Sequence, residues 1–184
     1  MLTQYNLKMP HAVYGGENAM DNITAIIKAR GAKKVAMFTD KGIEGAGLFA
    51  LPEEAVKASG AEYYVLDELP PEPSYMAVQK LVDEFKASGA DLIVACGGGS
   101  VMDCAKISGL MATNPGELWD YVQGGTGGRR AFEHDPLPLV AITTTAGTGS
   151  EVDAGGVITN PETREKVGIG HPGCFPKLAI VDPE

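Results

Sequence analysis

At 184 residues the chain is long enough to bury one substantial core and short for two, and its 24 glycines are the single excess in an otherwise ordinary globular composition. A net charge of −9 argues against nucleic acid or an anionic membrane surface as the main partner. No apolar run approaches the roughly 20 residues of a membrane span, and the polar start Met1-Leu2-Thr3-Gln4 is no signal peptide.

In chain order, Gln4 to Gly16 carries short apolar-polar alternations broken by Met9-Pro10, which predicts an N-terminal hairpin closed by Gly15-Gly16. Asn18 or Asp21 can cap a helix with Ile23, Ile26 and Ile27 on its apolar face, ended by Gly31. Val35 to Thr39 is a buried strand ending at Asp40, followed by a helical region to Ser59-Gly60 and a strand at Tyr63 to Leu66. Pro70-Pro71-Glu72-Pro73 is a stiff loop, after which Ser74 caps a helix bearing Met76, Val78, Leu81, Val82 and Phe85 and stopped by Gly89. Leu92 to Cys96 is apolar without alternation, as a strand covered on both faces should be.

Gly97-Gly98-Gly99 then turns the chain into a helix that runs to about Thr113-Asn114-Pro115. Ser100 is placed to cap that helix, with Asp103 at capping-box spacing. Glu117 to Val122 suits one helical turn, with Trp119 and Tyr121 packing it onto the domain, and Gln123 to Arg130 is a glycine-rich loop. Leu137 to Ile142 is another buried strand, running into Thr143-Thr144-Thr145-Ala146-Gly147-Thr148-Gly149-Ser150-Glu151. Val157 to Thr159 and Lys166 to Ile169 flank the turn Asn160 to Thr163 as an antiparallel hairpin, and Leu178 to Val181 is a last strand. Strands alternating with helices indicate right-handed βαβ units and an α/β parallel sheet.

The chemistry concentrates around the glycine triplet. Bare backbone N–H groups at a helix N-terminus favour an anion, so a nucleotide phosphate is expected over Gly97 to Ser100, with Asp103 bracing the loop from the helix side. The third position of a GxGxxG fingerprint is Met102, and no Gly-Lys-Ser/Thr follows, so the loop is neither that fingerprint nor a Walker A loop. Asp40, at the end of a buried strand, suits a ribose diol, and its charge repels a 2′-phosphate, which favours NAD over NADP. The threonine run presents hydroxyl and backbone donors at the carboxyl edge of the sheet, where ligands of open α/β sheets bind. It contains no Gly-x-Ser-x-Gly nucleophile elbow. His11, His134 and His171 are too scattered to pair as metal ligands. Cys96, Cys104 and Cys174, odd in number and without CxxC spacing, suit the reduced thiols of a cytoplasmic protein.

Taken together, Gly97-Gly98-Gly99-Ser100-Val101-Met102-Asp103 and Thr144-Thr145-Ala146-Gly147-Thr148-Gly149-Ser150-Glu151-Val152 resemble the two signatures of the iron-containing (group III) alcohol dehydrogenases. Pro10 to Gly16, Phe38-Thr39-Asp40 and Lys177 to Glu184 fit the same pattern in order. The resemblance implies a Rossmann-like NAD-binding domain over residues 1–184, of the dehydroquinate-synthase-like fold. A helical metal-binding domain is expected after residue 184.

By the same resemblance, Asp40 holds the adenosine ribose and Gly97, Gly98, Gly99 and Ser100 the pyrophosphate, with Asp103 in support. Thr144, Thr145 and Thr148 line the adenine and phosphate side, and Lys166 reaches a ribose near the nicotinamide. The implied reaction is hydride transfer between NAD and a small alcohol, aldehyde or ketone, assisted in the full-length enzyme by Fe2+ or Zn2+. This chain alone is expected to be inactive. A homo-oligomer is expected, with Gln4 to Leu7 available to extend a partner's sheet. Three positions depart from the family pattern: Glu72 where Asn is frequent, Thr143 where Pro is common, and Asp153 where a hydroxyl residue is common. A same-fold lyase or cyclase of the dehydroquinate synthase type and a non-catalytic nucleotide-binding module are the alternatives.

Overall fold

The computed structural model describes residues 8–69 and 71–183. In chain order it contains β1 (Val13–Gly15), α1 (Asp21–Arg30), β2 (Lys34–Phe38), α2 (Lys41–Gly45), α3 (Ala50–Ser59), β3 (Glu62–Leu66), α4 (Tyr75–Ser88), β4 (Leu92–Gly97), α5 (Gly99–Thr113), β5 (Leu139–Thr143), β6 (Gly155–Asn160), β7 (Glu165–Gly170) and β8 (Leu178–Val181). The main sheet runs β1-β8-β5-β4-β2-β3 with every pairing parallel, and β6-β7 forms a separate antiparallel pair.

The sheet is covered on both faces, which is why its central strands carry unbroken apolar runs. Leu92, Val94 and Cys96 of β4 join Ile23 and Ile27 of α1 and Val56 of α3 in one cluster. Ile93 and Ala95 point the other way, into a larger cluster with Val78, Val82 and Phe85 of α4 and the buried side of α5. Tyr121 is fully buried in that second cluster, stacked on Phe132 at 4.5 Å, while Trp119 meets the edge of Tyr75 at 5.1 Å. The packing expected of Trp119 and Tyr121 is therefore observed.

The first arm of the N-terminal hairpin, Gln4 to Leu7, lies outside the described residues; toward its other end β1 pairs in parallel with β8, and Gly16 donates to Val181 O before the chain enters α1. Two local expectations are corrected. Neither Asn18 nor Asp21 caps α1. Met20 holds the cap position without a side-chain bond, its N–H donates to Asp182, and Asp21 is the first helical residue. The helical region after Asp40 is two helices, α2 and α3, separated at Gly47, whose φ of +78° breaks the helix.

The topology places the site. From β2 the chain moves outward to β3 through α3 on one face, and from β4 it moves inward to β5 through α5 on the other. β2 and β4 are hydrogen-bonded neighbours, so their carboxyl ends part at a topological switch point, the usual crevice of open α/β sheets. Asp40 follows β2 and the glycine turn follows β4.

Candidate functional site

The turn after β4 is bare at Gly97 and Gly99 because their surroundings leave no room for a side chain. A Cβ on Gly97 would lie 2.7 Å from Val101 Cγ2, and one on Gly99 would lie 2.7 Å from Thr148 Cγ2. The turn is consequently tighter than the capping box from Ser100 to Asp103 supposed. The cap position of α5 is Gly98, no side chain caps the helix, and Ser100 is already inside it. The first intrahelical bond runs from Met102 N–H to Gly98 O at 3.1 Å, so the N–H groups of Gly99, Ser100 and Val101 precede the helical ladder. Asp103, freed from the expected box, accepts instead from Ser150 Oγ at 2.8 Å and from Val157 N–H at 2.9 Å. Burial holds its carboxyl above the ordinary range, opposed by those two hydrogen bonds and by the charge of Lys106.

Two cavities open on the turn and a third lies beside it. The first, about 540 Å³, is lined by Gly98 to Val101, by Asp40 to Gly42 behind β2, and by Asp67, Glu68, Leu69 and Pro71 behind β3. Asp40 enters it while capping α2, accepting from Ile43 N–H at 2.9 Å, so it has both a structural contact and a place in the cleft. Lys41 is held by Glu44 at 3.1 Å and by Asp67, whose hydrogen bond is the main cause raising its pKa. The acidic side chains Asp40, Asp67 and Glu68 thus outnumber the cation, an unfavourable setting for an added phosphate on a ribose.

The second cavity, about 480 Å³, lies toward α3 and the end of β5. Leu48, Leu51, Cys96, Ile142 and Thr143 to Ala146 form most of its wall, a largely apolar slot edged by threonines and by the carboxylates Glu151 and Asp182. Burial pushes the Cys96 thiol up to about 12, so the slot presents no thiolate nucleophile at neutral pH. The third, about 320 Å³, shares Gly99 and Ser100 with the first and adds Glu72, Thr148, Asp153, Thr159 and Lys166. Glu72 sits with φ at +59°, in the left-handed region that favours Gly or Asn.

Of the ten residues expected at the site, Asp40, Gly98, Gly99, Ser100, Asp103, Thr148 and Lys166 line the two cavities that share Gly99 and Ser100, and Thr144 and Thr145 line the separate slot. Gly97 stands back as the last residue of β4; it lines none of these cavities, and its carbonyl accepts from Thr144 N–H at 3.3 Å. Lys106 was not anticipated. Its side chain is 1% exposed and bonds Ser150 Oγ at 2.7 Å, Gly155 O at 3.1 Å and the Asp153 carboxylate. A signal was present: α5 is buried nearly all round, yet carries Asp103 and Lys106 three residues apart.

Among the described residues no three His, Cys, Asp or Glu side chains form a cluster able to hold a metal ion. Among the same residues no helix is long and apolar enough to cross a membrane.

The family described as iron-containing alcohol dehydrogenase matches residues 10–183. The chain is 36% identical to the NAD-dependent methanol dehydrogenase of Bacillus methanolicus over 179 residues, 97% of this chain and 46% of that protein. It is 38% identical to the mitochondrial hydroxyacid-oxoacid transhydrogenase of Caenorhabditis elegans over 158 residues, 85% of this chain and 34% of that protein. Its fold superimposes on the crystal structure of NADH-dependent butanol dehydrogenase A of Thermotoga maritima with a TM-score of 0.87 and 29% identity, covering 98% of this chain and 44% of that one. The chain thus spans at most about half the length of these relatives.

Proposed function

This chain belongs to the iron-containing alcohol dehydrogenase family, and on that premise we propose that it is the NAD-binding half of an oxidoreductase that moves hydride between NAD and a small alcohol, aldehyde or ketone. The observation that carries this reading is the uncapped N-terminus of α5, which opens onto the first cavity at the switch point between β2 and β4. Three N–H groups and the helix dipole there favour the negative charge of a pyrophosphate. Asp40 accepts from the adenosine ribose diol, and the acidic lining formed with Asp67 and Glu68 selects against NADP. The apolar slot of Leu48 and Leu51 with Thr144 and Thr145 takes the adenine, and the cavity of Thr148 and Lys166 takes the other ribose.

When bound, NAD supplies the hydride acceptor. The part of these residues is to hold the dinucleotide extended across the turn and to orient it. The described residues do not form a metal centre. We assign the family's iron or zinc to the part of the relatives that this chain does not cover, and expect no alcohol oxidation from this chain alone with either metal added. The three buried, unpaired cysteines support a reducing compartment, and we place the protein in the cytoplasm.

Calorimetric titration of the chain and of Asp40→Ala with NAD and NADP tests the reading. The wild type is expected to bind NAD and discriminate against NADP, and the variant to lose about tenfold in NAD affinity while NADP improves. Unchanged NAD affinity with no gain for NADP would remove Asp40 from the ribose site. Measurable alcohol oxidation by the 184-residue chain would overturn the assignment of the metal.

A further inference from the structure

Lys106 is a buried cation that the binding scheme above does not use. An ammonium has three donors and no acceptor, and here all three have partners: Ser150 Oγ, the Asp153 carboxylate and Gly155 O. Ser150 Oγ accepts from Lys106 and donates to Asp103 Oδ1, so the directions of the hydrogen bonds are set along the chain Lys106, Ser150, Asp103. Asp103 in turn accepts from Val157 N–H of β6 at 2.9 Å. Ser100, Asp103 and Lys106 recur every three residues on α5, so one side of the helix offers the cavity its first turn and clamps the β5–β6 connection with the next two.

The clamp acts on one end of that connection only. Its other end has a separate tie, the bond from Thr144 N–H to Gly97 O. Ser150 and Asp153, the partners of Lys106, line the cavity that contains Lys166 and Thr148, and neither lines the cavity of Asp40.

We infer that Lys106 is a positioning residue for the nicotinamide half of the dinucleotide: it sets the distance between the turn at Gly99-Ser100 and the wall carrying Thr148 and Lys166. It does so by docking residues 150–155, and with them the start of β6, onto α5. The inference rests on the NAD reading and adds to it a division of labour. Local backbone at the turn serves the adenosine and pyrophosphate, which ADP also carries, whereas the Lys106 clamp serves only the part that ADP lacks.

The test is calorimetry with NAD and with ADP on the chain, on Lys106→Met, on Asp153→Asn, on Lys166→Ala and on Lys106→Met combined with Lys166→Ala. Loss of the clamp is expected to weaken NAD about tenfold and leave ADP within about twofold, with Asp153→Asn giving a smaller loss of the same selectivity. Lys166→Ala is expected to weaken NAD in the wild type and to add nothing once Lys106 is gone, because the two act as a unit. Equal losses for NAD and ADP, or additive effects of the two lysine substitutions, overturn the inference and leave Lys106 a purely structural cation. If Lys106→Met does not fold, Asp153→Asn decides, since the Asp153 side chain is 55% exposed and loss of its charge leaves the other two Lys106 contacts in place. A wild type that binds neither ligand sinks the dinucleotide reading itself. A wild type that binds both, with variants that lose both equally, sinks only the role of Lys106.

Discussion

The cleft beside Asp40 and the cleft beside Lys166 share Gly99 and Ser100, yet they are held together by different kinds of contact. On the Asp40 side the specific bonds are shorter in sequence: Asp40 caps α2 three residues on, and Lys41 pairs with Glu44 and, 26 positions away, with Asp67. On the Lys166 side the ties join residues 44 to 54 positions apart, from Lys106 to Ser150 and from Asp103 to Val157. The first cleft is a property of strand ends at a switch point, and any sheet of this order opens one there. The second exists only when two loops and a hairpin are docked on α5. The Lys106–Ser150 contact of the second is buried, whereas the Lys41 pairs of the first are exposed, and a buried polar group left without its partner costs more than an exposed one.

The largest expected effect comes from the residue that touches both sides. Gly99→Ala places a Cβ 2.7 Å from Thr148 Cγ2 and is expected to destabilise the chain by about 1–3 kcal/mol and to abolish measurable NAD binding. Thr148→Ser in the same chain removes the methyl that is struck and should recover part of the stability in urea unfolding. No recovery would mean that the turn and the threonine loop do not pack as described.

Next, Ser150→Ala leaves Lys106 and Asp103 each short of a buried partner and should cost about 1–3 kcal/mol. Removing the Asp40 cap should cost about 1 kcal/mol. If the two losses in urea unfolding reverse in order, the long-range side is not the more tightly coupled one.

The smallest effect is a pH dependence. Burial raises the Asp103 carboxyl above its ordinary 3.8, so between that value and its native pKa the folded chain binds more protons there than the unfolded chain. The contribution of this group to stability therefore falls as pH rises through that window. Asp103→Asn lacks the term, so any stability advantage of the wild type should shrink from acid toward neutral pH. A gap that widens over the same range would mean that the hydrogen bonds from Ser150 and Val157 outweigh burial.

Much of this was legible in the residues. Val35 to Thr39, Leu92 to Cys96 and Leu137 to Ile142 marked buried strands because a sheet covered on both faces demands apolar side chains on both. Gly31, Gly60 and Gly89 marked helix ends because the backbone there is left-handed, with φ of +63°, +80° and +68°. The partner of β1 was not legible, since a three-residue strand carries no signal for β8, some 165 positions away, or for a parallel pairing. Nor was the true start of α5: Ser100 and Asp103 had the right spacing for a capping box, and packing against Val101 and Thr148 drew the turn two residues tighter.

What the sequence determined by itself was the parallel sheet, the bare turn ahead of a helix and the residue types gathered near it. These follow from preferences expressed over a few neighbouring residues, which hydrophobic period, glycine and cap chemistry report directly. What only the tertiary structure decided was the pairing of Asp103 and Lys106 with Ser150, Asp153 and Gly155. A helix face presents a buried charge to whatever packs on it, and the identity of that partner is set by how distant segments dock. The buried lysine on α5 was visible as an oddity in the chain, and the fold makes it a clamp.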